Sequence, residues 1–195
     1  MNQLHLFPSL VVFDDVEPLV TDDIQEWAKV VCFEKGKHSY ETRCLSTVNT
    51  AANILELEEM QPLLAPINQC IGEFISAMKY DTDNIDYYIQ SSWLNYYEPL
   101  WCQELHTHQN STISGTLDII GSDQFDFYLI NPAKFLQPIQ PPVYELNDFN
   151  QNDARMMCKR GFIKVFHSGM LHGTRQVDCE RLTLAFNVAA TPKND

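Results

Sequence analysis

Two histidines stand two positions apart in Gln103-Glu104-Leu105-His106-Thr107-His108. If this stretch is a strand, alternate side chains share a face, so Glu104, His106 and His108 point the same way. A His-x-His on a strand presents two imidazoles to one metal ion, and neutral imidazole suits iron or zinc. Taken alone, the pair also fits two surface or hydrogen-bonded histidines, the commoner case. A further histidine, His172, follows the run Gly161-Phe162-Ile163-Lys164-Val165-Phe166-His167-Ser168-Gly169. There an apolar strand enters a turn, which places His172 at a strand end or at the start of the next strand. His167 competes with it for any role, and the turn separates the two. His5 and His38 have no pattern around them. In Arg181-Leu182-Thr183-Leu184-Ala185-Phe186-Asn187, Arg181 and Thr183 again share a strand face. A guanidinium beside a hydroxyl on an inward face makes a carboxylate clamp, because the guanidinium is a planar fork of donors. An inward arginine without an anion would be costly, whereas an outward one is an ordinary solvated side chain.

The elements that must position these residues follow from local pattern. Residues 4–13 are apolar and β-branched and predict a strand, with Pro8 at an edge or bend. Thr21-Asp22-Asp23 open an amphipathic helix over 21–31, which Gly36 and its neighbours end. Between Thr50 and Met78, apolar residues recur at intervals of three and four. Pro62 and Pro66 then predict a short helix, a break, and a longer helix from near Leu63. Strand character returns at 87–97, 103–108, 113–120, 125–130, 162–167 and 182–188. The proline-rich stretch 132–153 predicts a long loop. Several short strands after a helical layer imply a β-sandwich or open barrel with helices on one face.

Composition narrows the classes. With 195 residues, 45% of them hydrophobic, the chain can bury a sizeable core. Its formal charge of −13 opposes phosphate backbones and anionic membranes, which argues against a nucleic-acid partner. It also means that a small anionic co-substrate needs a specific cation. No apolar run approaches the roughly 20 residues that span a bilayer, so no membrane association is expected. The six cysteines, Cys32, Cys44, Cys70, Cys102, Cys158 and Cys179, are widely spaced and form no C-x-x-C. The first eight residues lack the basic and apolar regions of a secretory signal, so the thiols are expected to be reduced, in a cytoplasm.

Taken in order, several segments resemble the 2-oxoglutarate- and iron(II)-dependent dioxygenases, and more closely their small prolyl-hydroxylase-like branch in bacteria and phages. These segments are Ser91-Ser92-Trp93-Leu94-Asn95-Tyr96-Tyr97, His106-Thr107-His108-Gln109-Asn110-Ser111, Ser114-Gly115, Phe166-His167-Ser168 with His172, and Arg181-Leu182-Thr183 with Phe186-Asn187. The resemblance covers roughly residues 90–190. It implies a mainly β chain with a helical layer (α+β), folded as a double-stranded β-helix, a cupin-like jelly roll supported by N-terminal helices. A single domain over 1–195 is expected, with 1–80 supplying a strand and the supporting helices and 85–190 the jelly-roll core.

By the same resemblance, His106 and His172 are Fe(II) ligands and Arg181 with Thr183 holds the distal carboxylate of 2-oxoglutarate. Molecular oxygen is then consumed in an oxidative decarboxylation coupled to oxidation of a substrate, which the branch implies to be a protein or peptide residue. Two departures leave details open. The wider family carries Asp or Glu two residues after the first histidine. Here that residue is His108, so the third ligand is His108, Glu104 or Asp118. Related enzymes often carry a tyrosine near the strand position of Asp118. An acid there repels a carboxylate unless it is paired with Arg181 or Arg175, or protonated. Tyr97 or Asn95 stands ready for the tyrosine's role.

Two other classes also fit the residues. A three-histidine cupin-type dioxygenase without 2-oxoglutarate leaves the Arg-x-Thr unexplained. A non-catalytic β-sandwich binding module places His106 and His172 far apart. The substrate and the oligomeric state are not written in the sequence.

Overall fold

A computed structural model describes residues 9–38, 44–50, 53–136, 141–147 and 150–193. Strand β1 spans Val11–Asp15; the start of the strand expected at 4–13 lies outside the described residues. Helix α1 spans Asp22–Lys35. The Thr21 hydroxyl caps it by accepting from the Ile24 N–H, and the Gly36 N–H closes its last turn on the Cys32 carbonyl. Its buried face, Ile24, Ala28, Val31 and Cys32, follows the helical period. Short strands β2 (Lys37–His38) and β3 (Leu45–Ser46) follow. Two 3-10 turns, Ile54–Glu56 and Glu58–Met60, then lead into α2, Gln61–Ala77. The expected break is these turns. Both prolines sit in the first two turns of α2, where few intrahelical bonds are lost.

The β region comprises β4 (Ile85–Tyr97), β5 (Ile113–Ile120), β6 (Ser122–Ile130), β7 (Asp153–Cys158), β8 (Phe162–His167), β9 (His172–Thr174) and β10 (Arg181–Pro192). These pair into a seven-stranded sheet in the order β1-β8-β5-β10-β4-β3-β2 and a three-stranded sheet in the order β7-β6-β9. The result is a double-stranded β-helix with a helical layer, the expected fold class. Residues 103–108 depart from expectation. They are irregular, and only His106 forms an isolated bridge, to His172. Strand β7 has no counterpart among the expected strands. Its residues are mostly half-exposed and show no clear alternation.

Strand alternation divides the large sheet cleanly. Leu94, Leu117, Ile163, Val165, Leu182, Leu184, Phe186 and Val188 pack outward with Ile24, Leu63, Ile67 and Phe74 of the helices in one core. A second, smaller cluster of Phe127, Leu129, Cys158, Phe166 and Met170 fills one side of the space between the sheets. Gly115 lies where Phe186 crosses β5. A Cβ there would overlap the Phe186 ring and sit 2.7 Å from the Lys164 carbonyl oxygen. Gly115→Ala should therefore lower stability by about 1–3 kcal/mol through overpacking, read as a lower midpoint in denaturant unfolding.

Candidate active site

The histidine-bearing segment is laid against β9 by backbone bonds. The Gln103 N–H donates to the Thr174 hydroxyl at 2.9 Å, and the Thr174 N–H to the Gln103 carbonyl at 2.9 Å. His106 and His172 exchange N–H···O bonds of 3.0 and 3.1 Å. The His108 N–H donates to the Ser168 carbonyl at 2.8 Å. Gly173 permits this approach, since a Cβ on it would stand 2.8 Å from the Gln103 carbonyl oxygen.

The three rings converge. Centroids lie 4.3 Å apart for His106 and His172, 5.0 Å for His106 and His108, and 5.2 Å for His108 and His172. One ligand atom from each lies within 4.8 Å of the other two. The hydrogen bonds fix which nitrogen is available. His106 Nδ1 is 2.9 Å from the Glu104 carbonyl and His172 Nδ1 is 2.8 Å from the Met170 carbonyl. A carbonyl only accepts, so each Nδ1 carries the proton and each Nε2 keeps its lone pair. His108 Nδ1 donates to the Asn187 amide oxygen at 2.6 Å. The Ser114 hydroxyl donates to that same oxygen at 2.8 Å and stands 2.8 Å from the Ser168 hydroxyl. Burial pushes the His172 imidazolium down to about 3, helped by His106 and His108, and burial also lowers His108. With each Nδ1 committed to an acceptor, Nε2 is the atom each ring offers to a metal, and a set of three imidazole nitrogens fits Fe(II).

Of the candidate third ligands, only His108 joins the cluster. Glu104 is exposed and contributes its backbone carbonyl. Asp118 is buried and ion-paired to Lys164 rather than to Arg181 or Arg175. His167 faces away, against Phe74 and Tyr80.

A cavity of about 220 Å³ opens beside the rings. Trp93, Asn95, Tyr97, Asp118, Phe127 and Thr183 are among its lining residues. Cross-strand register sets Asn95, Thr183 and Asp118 side by side on β4, β10 and β5. Arg181 points inward as the Arg-x-Thr pattern predicts, but it is not a free clamp. Its Nη1 meets Asp126 at 2.7 Å, and its Nη2 donates to the Thr174 hydroxyl at 3.0 Å and the Trp101 carbonyl at 3.1 Å. Its guanidinium lies 4.9 Å from the Tyr97 ring centroid. Nε is buried without a partner among the described residues, so one donor remains for an incoming acceptor. Pattern alone gave no role to Asn187, Ser114, Asp126 or Lys164. Lys164 carried a signal, because it sits at the inward parity of an apolar strand between Phe162 and Phe166.

A jelly roll with three metal-ready imidazoles at its cavity is the architecture of the non-haem metal oxygenases, and comparison with known proteins narrows the class. Residues 91–187 match a family model described as "Putative 2OG-Fe(II) oxygenase". Over these residues the chain is similar to the 2-oxoglutarate- and iron(II)-dependent oxygenases, and it is an enzyme whose cofactor is Fe(II) and whose co-substrate is 2-oxoglutarate. No curated protein sequence matches it significantly.

Among solved structures, a Pseudomonas putida prolyl-4-hydroxylase aligns with a TM-score of 0.63 at 13% identity, covering 93% of this chain and 92% of that one. The viral collagen prolyl hydroxylase of Paramecium bursaria Chlorella virus-1, solved with 2-oxoglutarate, aligns at 0.54 and 11%, covering 91% and 95%. HygX of Streptomyces hygroscopicus, with nickel and 2-oxoglutarate bound, aligns at 0.56 and 8%, covering 93% and 83%. At these identities the likeness is one of fold.

Two outcomes follow from this geometry. Asn187→Ala releases the His108 ring and should weaken Fe(II) binding by roughly 10–100-fold, measured by competition with a chelating dye. Arg181→Ala strands Asp126 in the interior and should cost about 3–5 kcal/mol of stability, whereas Asp126→Asn/Arg181→Gln recovers much of it in denaturant unfolding.

Proposed function

We propose that His106, His108 and His172 hold the iron through Nε2 as a three-histidine ligand set, and that 2-oxoglutarate occupies the adjoining cavity. The observation that carries this reading is the convergence of three imidazoles whose Nδ1 atoms are all committed elsewhere. With both groups bound, the site supplies oxidative decarboxylation of 2-oxoglutarate to succinate and carbon dioxide, coupled to oxidation of the substrate by molecular oxygen. Three neutral ligands leave the ion's charge undiminished, which favours the anionic 2-oxo acid end of the co-substrate. Thr183, Asn95 and Tyr97 line the cavity and orient the co-substrate, while Arg181 supplies positive charge from beneath Tyr97. Trp93, half-buried and 5.7 Å from His108 between ring centroids, limits water at the metal side.

The substrate in this proposal is a protein or peptide side chain. Two of the aligned structures are prolyl hydroxylases by name, and the apolar lining at Trp93, Phe127 and Ala185 suits an uncharged ring better than a charged group. The net charge of −13 favours neutral or basic peptides over acidic ones. The proposal also treats 1–195 as one domain acting in the cytoplasm. No described helix is long and apolar enough to cross a membrane.

Anaerobic titration of the Fe(II) protein with 2-oxoglutarate tests the core of this reading. The weak visible charge-transfer band of the chelate is expected, and a metal-loaded protein that never develops it contradicts the assignment. His108→Asp should retain iron, and His108→Ala should bind it at least about tenfold more weakly. If both behave like the parent, His108 is not a ligand. Neutral proline-containing peptides should raise succinate release and gain one oxygen atom by mass spectrometry.

A further inference from the structure

Four buried charged side chains stand beside the cavity, and metal binding uses none of them. Lys164 on β8 pairs with Asp118 on β5, and Arg181 on β10 pairs with Asp126 on β6. All four are essentially without solvent exposure. Among the described residues, the other titratable groups facing Asp118 from the packed elements are uncharged. Burial holds the Cys158 thiol on β7 well above its usual range, and does the same for the Tyr97 phenol on β4. Away from the metal, this wall of the cavity is therefore charge-balanced before any co-substrate arrives, with two cations and two carboxylates.

This inference rests on the reading that 2-oxoglutarate binds in the cavity. The co-substrate's distal carboxylate is ionised at neutral pH. The metal's charge is met at the 2-oxo acid end; the distal carboxylate, if both pairs stayed intact, would stand against the ionised Asp118, and two carboxylates sharing a buried site do not both stay ionised. Of the two acids, Asp118 lines the cavity beside Thr183, whereas Asp126 is not among the lining residues. We propose that Asp118 is a proton-accepting gate for 2-oxoglutarate: the distal carboxylate replaces the charge of Asp118 beside Lys164, and Asp118 takes one proton from solvent as the co-substrate enters. The balance of that wall then closes again. Lys164 and Arg181 face Asp126 and the co-substrate carboxylate, and the neutral Asp118 has an O–H to donate. Burial already pushes Asp118 up to about 6, against the pull of Lys164, so the proton comes at modest cost.

The sign follows from linkage. The bound state holds one more proton than the free state, so affinity falls as pH rises above the free-state value of Asp118, by about tenfold per unit. The co-substrate itself adds no slope over about pH 6.5–8.5, where its carboxylates stay ionised. The test is calorimetric titration of 2-oxoglutarate into protein saturated with Mn(II), across that range and in buffers of contrasting ionisation enthalpy. About one proton taken up per co-substrate at the upper end is expected, with the tenfold slope. Asp118→Asn should take up none, lose the slope, and bind more tightly than the parent at the upper end. A parent that binds without proton uptake overturns the gate while leaving the 2-oxoglutarate reading intact, as does an Asp118→Asn variant that keeps the parent's uptake. A parent that binds no 2-oxoglutarate at any pH removes both. Should Asp118→Asn fail to fold, Asp118→Leu/Lys164→Met supplies an uncharged pair. It should show no proton uptake and bind at least about tenfold more weakly at the lower end; retained uptake overturns the gate.

Discussion

Each of the residues His106 and His172 gives its backbone N–H to the other's carbonyl, at 3.0 and 3.1 Å, and the geometry of the three-histidine cluster depends on that closed pair of bonds. It is the sole β-bridge recorded for the irregular segment 101–108 among the described residues. Everything nearer the chemistry inherits its position from it. The two imidazoles face each other because their backbones do. Each is then turned by the same local device, an Nδ1–H bond to the carbonyl two residues earlier in its own segment, Glu104 for His106 and Met170 for His172. His108 lacks that device. Its ring is held from across the fold, by Asn187 on β10 with Ser114 on β5 in support. The third donor is thus tied to the large sheet and the first two to the small one, so closing the two sheets on each other assembles the cluster.

Much of this was legible in the sequence, where short-range periodicity is informative. Strand limits at 113–120 and 162–167 coincide with β5 and β8, because alternation against a buried face is a local signal. The face shared by Arg181 and Thr183 was likewise correct. The shared direction of His106 and His108 holds, but not for the reason of regular strand alternation, since 103–108 is not a strand. What periodicity could not show is who meets whom. Asp126 and Arg181 lie on strands of different sheets, and Asp118 and Lys164 on neighbouring strands far apart in the chain. A buried Arg181 demanded an anion, and the sequence offered a co-substrate carboxylate as the simplest answer. The protein supplies its own in Asp126, so Arg181 serves first as a brace joining β10, β6, β9 and the Trp101 carbonyl. Strand β7 escaped notice because half-exposed positions leave no alternation to detect.

Two fully buried ion pairs are a poor way to stabilise a jelly roll. Desolvating each ion costs several kcal/mol, and a well-packed apolar pair of similar volume is often as stable or more so. The smaller cluster around Phe127 and Phe166 shows that the same interior is packed with apolar side chains elsewhere. Charges are concentrated instead on the strands that border the cavity, where the Lys164 ammonium also lies within 5.3 Å of the Phe127 and Phe162 ring centroids. Such placement makes sense if cations are needed there but cannot stand alone while the cavity holds only water. An acid beside each cation keeps the interior neutral in that state. In a chain of net charge −13, long-range attraction will not gather an anionic co-substrate. Local cations must do so at close range.

The helical layer, remote from the three histidines, sets where those cations stand. Strand β10 presents Arg181, Thr183 and Ala185 to the interior and Leu182, Leu184, Phe186 and Val188 to the helices. Because side chains alternate, a slip of one residue would exchange the two sets and turn Arg181 into the apolar core. The start of the strand is pinned against such a slip from outside. Glu180, next to Arg181, takes the ammonium of Lys29 on α1 at 2.8 Å and the Tyr96 hydroxyl at 2.8 Å, and these partners hold its carboxyl below the usual range. Exposed pairs of this kind add little stability. Here the contact adds register, because it makes the outward residue charged and partnered where the next residue must be charged and buried. Adjacent side chains of opposite sign, one bound to a helix and the other to the cavity wall, leave β10 a single way to lie in the sheet. That alignment also delivers Asn187, at the other end of the same inward row, to His108.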